Sequence, residues 1–264
     1  MLAYYDREWE GLASRIVGRW CPSFSGATGL QLPDTMGRNH GVLNNMDRNT
    51  AWVTSGGAGA MNFNGVNNFL RVSGSFEFLR NNDKTIMGWV RTSAPGSSFR
   101  TVFSRDKTFA ITVLNSVFIT YDWVTSSVIS SGVNVASGNW RQICVSIRSG
   151  VSNGSQLFVD GSPAGSLFTY ANQTGNPTVD ASMMTGLNSD NSPASEHVNG
   201  QLDDVIVFNA ALTASEVRFL YEQGRGGGML LQPPRRRSFL VSAGFKAYWA
   251  RRRSQIIGAG NVSS

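Results

Sequence analysis

The acids, histidines and aromatic residues of this chain limit the chemistry open to it. Hydrolysis of a glycosidic bond needs two carboxylates facing each other across a sugar, one as acid and the other as base or nucleophile. Asp203 and Asp204 are the most suggestive pair, but they are adjacent. Neighbours on a strand point to opposite faces, so these two are not expected to serve one substrate. His40 and His197 fall in different loops, with no nucleophile pattern beside either. The expectation is that the chain is not an enzyme. Sugar binding asks for less: aromatic faces beside polar groups on an exposed surface. Tyr121 and Trp123 alternate at a strand edge in TYDWVTS, and Tyr170 stands in the polar stretch FTYANQTGN. These three form the candidate carbohydrate-binding platform.

A different chemistry is concentrated at the C-terminus. Residues 229–264 carry Arg235, Arg236, Arg237, Lys246, Arg251, Arg252 and Arg253 and no acid. Those seven leave 16 of the 23 Lys and Arg against 17 Asp and Glu, so the rest of the chain is almost neutral. GRGGG, at 224–228, reads as a flexible hinge before this arm. Three uses of the arm are open. Its cations could release counterions from a nucleic acid. Val241, Phe245 and Trp249 share a helical face beside arginines, which suits a membrane surface. Or the segment docks the protein to a larger assembly. So many aromatics argue against a solvated basic coil. Docking is the preferred reading, with Arg235, Arg236, Arg237, Phe245, Trp249, Arg251, Arg252 and Arg253 as its contacts.

The elements that must position these residues are short. Glycine, serine and asparagine punctuate apolar runs about every ten residues, the pattern of an all-β sandwich. Phe109 to Val113, Val117 to Tyr121 and Val128 to Val133 are such runs, each bounded by turn residues. FNG at Gly65 and VDG at Gly161 carry the strongest short hairpin signal. The exception to strands is Thr213 to Gly224. Thr213 and Glu216 have capping-box spacing, Val217, Leu220 and Tyr221 share one face, and Gly224 ends the run. Residues 1–14 form a separate N-terminal segment. It lacks the apolar core and cleavage site of a secretory signal, and a short helix grouping Leu2, Tyr5, Trp9 and Leu12 is expected there. No run reaches the eighteen or so apolar residues of a spanning helix.

The order of these motifs resembles that of laminin-G-like, concanavalin-A-type jelly rolls, the superfamily that includes the pentraxins. The final strand and helix, NGQLDDVIVFNAALTASEVRFLYEQG (199–224), resemble the end of such a domain. Upstream, IVGRW (16–20), Asp34 with Gly37 to Gly41, AMNFNGVNNFLRV (60–72), TIMGWV (85–90), TVFS (101–104), NWRQICVSI (139–147) and LFVDG (157–161) follow in family order. The resemblance implies an antiparallel β-sandwich over residues 15–224, with one short C-terminal helix and then the basic arm, 225–264. It places Trp20, Trp89 and Trp140 in the core. The glucanases of this superfamily carry their acids as an E-x-D-x-x-E type pattern, which this sequence lacks.

The resemblance also points to calcium. Its relatives hold the ion between two loops, which here offer Asp106 from one and Asn188, Asp190 and Glu196 from the other. The acids are fewer than in pentraxins, so ordinary polar loops and a single calcium site both remain open. Cys144 matches half of a pentraxin disulfide whose partner is missing, and Cys21 is the only other cysteine. Two buried thiols are the preferred reading, with a disulfide between them left open. The end of the arm, YWARRRSQIIGAG (248–260), resembles sequences that follow lectin-like domains in tailed-phage virion proteins. The resulting expectation is a virion structural or decorating protein, assembled in the host cytoplasm. Its partners would be other virion proteins through the arm, further copies of the chain, and host-surface glycans. A stand-alone, calcium-assisted lectin-like module is the alternative.

Overall fold

The structure is a computed structural model that describes residues 11–225, apart from 24–28, 57, 75, 77–78, 94–97, 106–107, 174–179 and 187–191. The docking contacts from Arg235 to Arg253 and the calcium candidates Asp106, Asn188 and Asp190 lie outside the described residues, as do Leu2, Tyr5 and Trp9.

Among the described residues, sixteen strands form two antiparallel sheets. The first, sheet A, runs β14 (Ser162–Phe168), β13 (Ser155–Val159), β12 (Trp140–Ile147), β7 (Lys84–Thr92), β16 (Asn199–Phe208), β5 (Ala58–Asn64) and β4 (Trp52–Ser55). The eighth strand, β1 (Ile16–Trp20), pairs with the C-terminal half of β16. Sheet B runs β11 (Ser127–Asn134), β10 (Val117–Asp122), β9 (Phe109–Leu114), β8 (Arg100–Arg105), β15 (Ala181–Met183), β6 (Phe69–Val72), β3 (Gly41–Asn44) and β2 (Gln31–Leu32).

Period-two alternation decides what each face does. On β7, Ile86 and Val90 enter the core between the sheets, where Ile143 and Val145 of β12 meet Phe109, Ile111 and Phe118 of sheet B. The intervening Met87, with Cys144, Phe158 and Ile206, faces outward into a second apolar cluster. That cluster exists because helix α1 (Ala214–Glu222) lies on it through Val217 and Leu220. Burying each of these side chains stabilises the fold by about 1.5–3 kcal/mol relative to exposure. The capping box is present: the Thr213 hydroxyl accepts from Glu216 N–H, and the Glu216 carboxylate accepts from Thr213 N–H at 2.8 Å. Leu12 completes the cluster, so part of the 1–14 segment belongs to the body.

Several sequence expectations are corrected. Gly161 does sit in a hairpin turn, with φ of 72° and Asp160 also at positive φ, joining β13 to β14. Gly65 shares the positive φ, but β5 and β6 belong to different sheets. Its turn is a crossing between layers, held by Asn64 Oδ1, which accepts from the N–H groups of Val66, Asn67 and Asn68. Trp20 is core, whereas Trp89 and Trp140 are half-buried on the outer face of sheet A. Both thiols are buried, and neither forms a disulfide among the described residues.

Asp203 and Asp204 do not point apart as expected. A register shift between Asp203 and Ile206, with Asp204 at a φ of 46°, lets both carboxylates face one polar cluster. Asp204 takes a two-pronged bond from Arg19, at 2.6 and 3.0 Å, and both residues are buried. Asp203 accepts from Arg225 at 3.2 Å and from the Cys21 thiol at 3.7 Å. Arg225 also donates to Gly59 O at 3.2 Å and lies 4.0 Å from the Trp140 ring centroid. Arg225 is thus docked on sheet A.

Candidate functional site

Among the described residues no helix covers the outer face of sheet B. At its β8–β10 end, Thr101, Thr112, Ala110, Tyr121, Trp123, Phe99 and Glu196 line a cup of about 270 Å³. That is near the lower limit of ligand pockets, which start at about 300 Å³, so the cup suits a small group. Its walls are aromatic. Tyr121 meets Trp123 edge-on, with centroids 5.3 Å apart, and meets Phe99 edge-on at 6.0 Å. Neither the Tyr121 hydroxyl nor the Trp123 indole N–H has a hydrogen-bond partner among the described residues. Thr101 and Thr112 form the polar floor, their hydroxyls 3.5 Å apart.

Asp122 and Gln173 build the bracket that holds Trp123. Asp122 Oδ1 accepts from the N–H groups of Val124 and Thr125 and from Gln173 Nε2, while Oδ2 accepts from Ala171 N–H. Gln173 Oε1 in turn accepts from Trp123 N–H at 3.0 Å. Burial works to raise the Asp122 pKa, but these hydrogen bonds together hold it below the usual carboxylate value. The turn carrying Trp123 is thus fixed by a charged anchor underneath it.

Two of the three expected platform residues, Tyr121 and Trp123, come together here, and Tyr170 does not. Tyr170 is 0% exposed, so it cannot touch a sugar. Its hydroxyl reaches Thr108 O at 3.3 Å and Tyr121 O at 3.2 Å, so it supports the Tyr121 backbone from within the core. The Lys84 ammonium lies 5.2 Å from its ring, and burial pushes the Lys84 pKa down to about 7.

Glu196 is placed differently from its expected role. It lines the aromatic cup, where its carboxylate accepts from the Thr101 hydroxyl and its backbone O accepts from Thr101 N–H at 3.0 Å. Among the described residues no group of three or more His, Cys, Asp or Glu is positioned to hold a metal. The sequence alone does not bring out Phe99, Thr101, Thr112 or the use of Glu196; the signal available was the alternation of Thr112 with the core residues Ile111 and Val113 on β9.

A neighbouring pocket of about 220 Å³ lies at the rim of the sandwich, lined by Asn64, Thr92, Arg100, His197 and Asn199. Arg100 is turned toward it and donates to His197 O at 3.1 Å. Burial lowers the His197 pKa, and its Nδ1 has no hydrogen-bond partner among the described residues. The other histidine, His40, accepts from Asp34 N–H through Nδ1 and belongs to a turn. Among the described residues no helix is long and apolar enough to cross a membrane.

Solved structures share this architecture at low sequence identity. The binding domain of Paraclostridial Mosquitocidal Protein 1 matches with a TM-score of 0.57 and 14% identity, over 80% of this chain and 52% of that one. The binding domain of botulinum neurotoxin serotype D gives a TM-score of 0.58 and 11% identity, over 81% and 53%. This chain therefore spans about half the length of those two. Domain 4 of AbnA, an extracellular arabinanase from Geobacillus stearothermophilus, was solved in complex with arabinotriose. It gives a TM-score of 0.54 and 18% identity, over 78% of this chain and 97% of that domain. No curated protein matches the sequence. The family model of the concanavalin A-like lectin/glucanases superfamily matches residues 51–218, well over half of the chain, and the protein is a member of that superfamily.

Proposed function

We propose that this protein is a carbohydrate-binding, lectin-like module that acts by binding rather than by catalysis, with the sheet B cup as its sugar site. The observation that carries this reading is the open corner of Phe99, Tyr121 and Trp123 beside a carboxylate and two threonine hydroxyls. Aromatic faces stack on the C–H face of a sugar, and the polar groups then fix its orientation. The two acids most suggestive of hydrolysis, Asp203 and Asp204, are engaged by arginines on the opposite sheet. The arabinanase domain solved with arabinotriose lends support by analogy of fold. The test is a panel of immobilised oligosaccharides probed with the wild type, Trp123→Ala and Tyr121→Ala. Wild-type binding that both variants lose, with unchanged circular dichroism, is expected. A panel without any bound glycan, or variants that bind as the wild type does, would overturn the reading. Repeating the panel with a chelator separates calcium-assisted from calcium-independent binding.

A display role on a tailed-phage virion extends this proposal. Particle proteins would hold residues 229–264, and host-surface glycans would meet the cup. Two observations support it. The basic charge is segregated into the arm, and Arg225, the last described residue, sits on the sheet opposite the cup. Particles assembled with a chain lacking residues 229–264 should lose the protein while the domain stays folded. Retention at full occupancy would rule the role out.

A further inference from the structure

We infer that the cup selects sugars without a carboxylate and that Glu196 sets this choice; the inference rests on the carbohydrate reading above. Glu196 is the one charged side chain among the described residues that line the cup. It is half-buried, and among the described residues it has no ion-pair partner. Arg100, beside Thr101 in the chain, is committed to His197 O and to the rim pocket. The carboxylate is also fixed in place. One oxygen is held by the Thr101 hydroxyl, and the backbone beside it by Thr101 N–H. Gly186 keeps the space behind it clear, since a Cβ there would approach Glu196 Oε2 to 2.8 Å.

The second oxygen, Oε1, has no hydrogen-bond partner among the described residues. An ionised carboxylate only accepts, so Oε1 calls for a donor from the ligand. Sugar hydroxyls are such donors, and a charge-assisted bond of this kind is among the stronger ones. The unpartnered Tyr121 hydroxyl and Trp123 indole N–H supply donors for the ring or glycosidic oxygens of the same sugar. A uronic or sialic acid would bring a second negative charge against Glu196 with no cation among the described lining residues to offset it. In a site walled by aromatic rings such repulsion is screened less than in open water. The chemistry therefore favours a neutral sugar ring with adjacent free hydroxyls.

The experiment uses the full chain on a glycan panel that includes matched pairs differing only in CH2OH against carboxylate at C6. In the wild type, the acidic member of each bound pair should be more than about tenfold weaker than the neutral one. Glu196→Gln keeps the shape and still accepts from Thr101. It should weaken the neutral member by about tenfold and narrow the gap between the two. Wild-type binding of the acidic members as tightly as the neutral ones, still dependent on Trp123, would overturn this inference and leave the sugar site standing. A gap unchanged in Glu196→Gln would remove Glu196 as its cause. A panel with no bound glycan would overturn both.

Discussion

Trp140 and Trp123 are both half-buried indoles on the outside of a β-sheet, one on each side of the sandwich. Trp140 is covered. The Arg225 guanidinium lies 4.0 Å from its centroid, and its indole N–H reaches Ser55 Oγ at 3.3 Å. Nearby, Trp89 is stacked under Tyr221, with centroids 5.6 Å apart and rings 20° from parallel. Among the described residues Trp123 meets the ring of Tyr121 edge-on, and its indole N–H has no hydrogen-bond partner. The sheet A face has been closed by the chain's own C-terminal helix and the residue after it. The sheet B face keeps the same kind of side chain available. An aromatic residue on a sheet exterior is thus structural or ligand-ready according to what the distant parts of the chain lay over it.

The contrast should be easiest to break where charges are buried beneath the sheet A cover. Arg19 and Asp204 are 1% and 4% exposed, and each is the other's bidentate partner. Arg19→Ala leaves the Asp204 carboxylate in a dry site, which should cost about 3–5 kcal/mol in urea unfolding. A loss below about 1 kcal/mol would mean that water reaches the pair. Next in size is Gly161→Val. Its φ of 72° is strained for any Cβ, and a Cβ there would come within 2.6 Å of Tyr221 Cβ. The expected loss is about 1–3 kcal/mol, with the helix displaced from Trp89 and a changed tryptophan emission. An unchanged midpoint would mean that the turn and the helix accommodate a side chain.

Acid–base behaviour should separate the faces by a smaller margin. Burial, then the neighbouring Asp204, raise the Asp203 pKa to about 7, with Arg225 pulling it back. A raised carboxyl keeps a proton in the folded state that the unfolded chain has released. Its contribution is complete below about pH 4 and is lost as the pH rises through 7. Stability should therefore fall across that window, and Asp203→Asn should flatten the slope even though it also lowers the midpoint. A slope of unchanged steepness in the variant would assign the titration elsewhere.

Most of the fold was legible because it rests on local signals. Alternation marked β9, β10 and β11, the Thr213–Glu216 spacing marked the helix, and Asp160–Gly161 marked a hairpin. What failed depended on distant cover. Asn64–Gly65 looks like a hairpin in sequence, yet its flanking strands pair with partners in different sheets. Tyr170 reads as a loop aromatic until the strands around Thr108 and Tyr121 enclose it. Trp89 and Trp140, which the family resemblance places in the core, are instead half-covered from outside by Tyr221 and Arg225, which lie far along the chain. Asp203 and Asp204 read as a regular strand pair, and only the irregular register of β16 turns both into one polar cluster, Asp203 toward Arg225 and Asp204 toward Arg19. At the cup, Tyr121 and Trp123 were visible as alternating aromatics, but Glu196 arrives from a segment whose path no local pattern specifies.

The smallest expected change in stability belongs to Trp123→Ala, and that makes it the sharpest test of the comparison. Among the described residues the ring pair of Trp123 is with the edge of Tyr121, and its backbone is held by Gln173 and Asp122 independently of the side chain. Truncation should move the unfolding free energy by no more than about 0.5 kcal/mol, as for surface positions without special partners. Trp140→Ala removes the platform under Arg225 and should cost about 1–2 kcal/mol. For glycan binding the ranking reverses. Trp123→Ala should lose more than tenfold in affinity, about the effect of removing an aromatic anchor at a contact centre, and Trp140→Ala should lose none. If Trp123→Ala destabilises the protein as much as Trp140→Ala does, the two faces are equivalent and the aromatic cup is packing. If both variants bind glycan equally well, the ligand face lies elsewhere on the molecule.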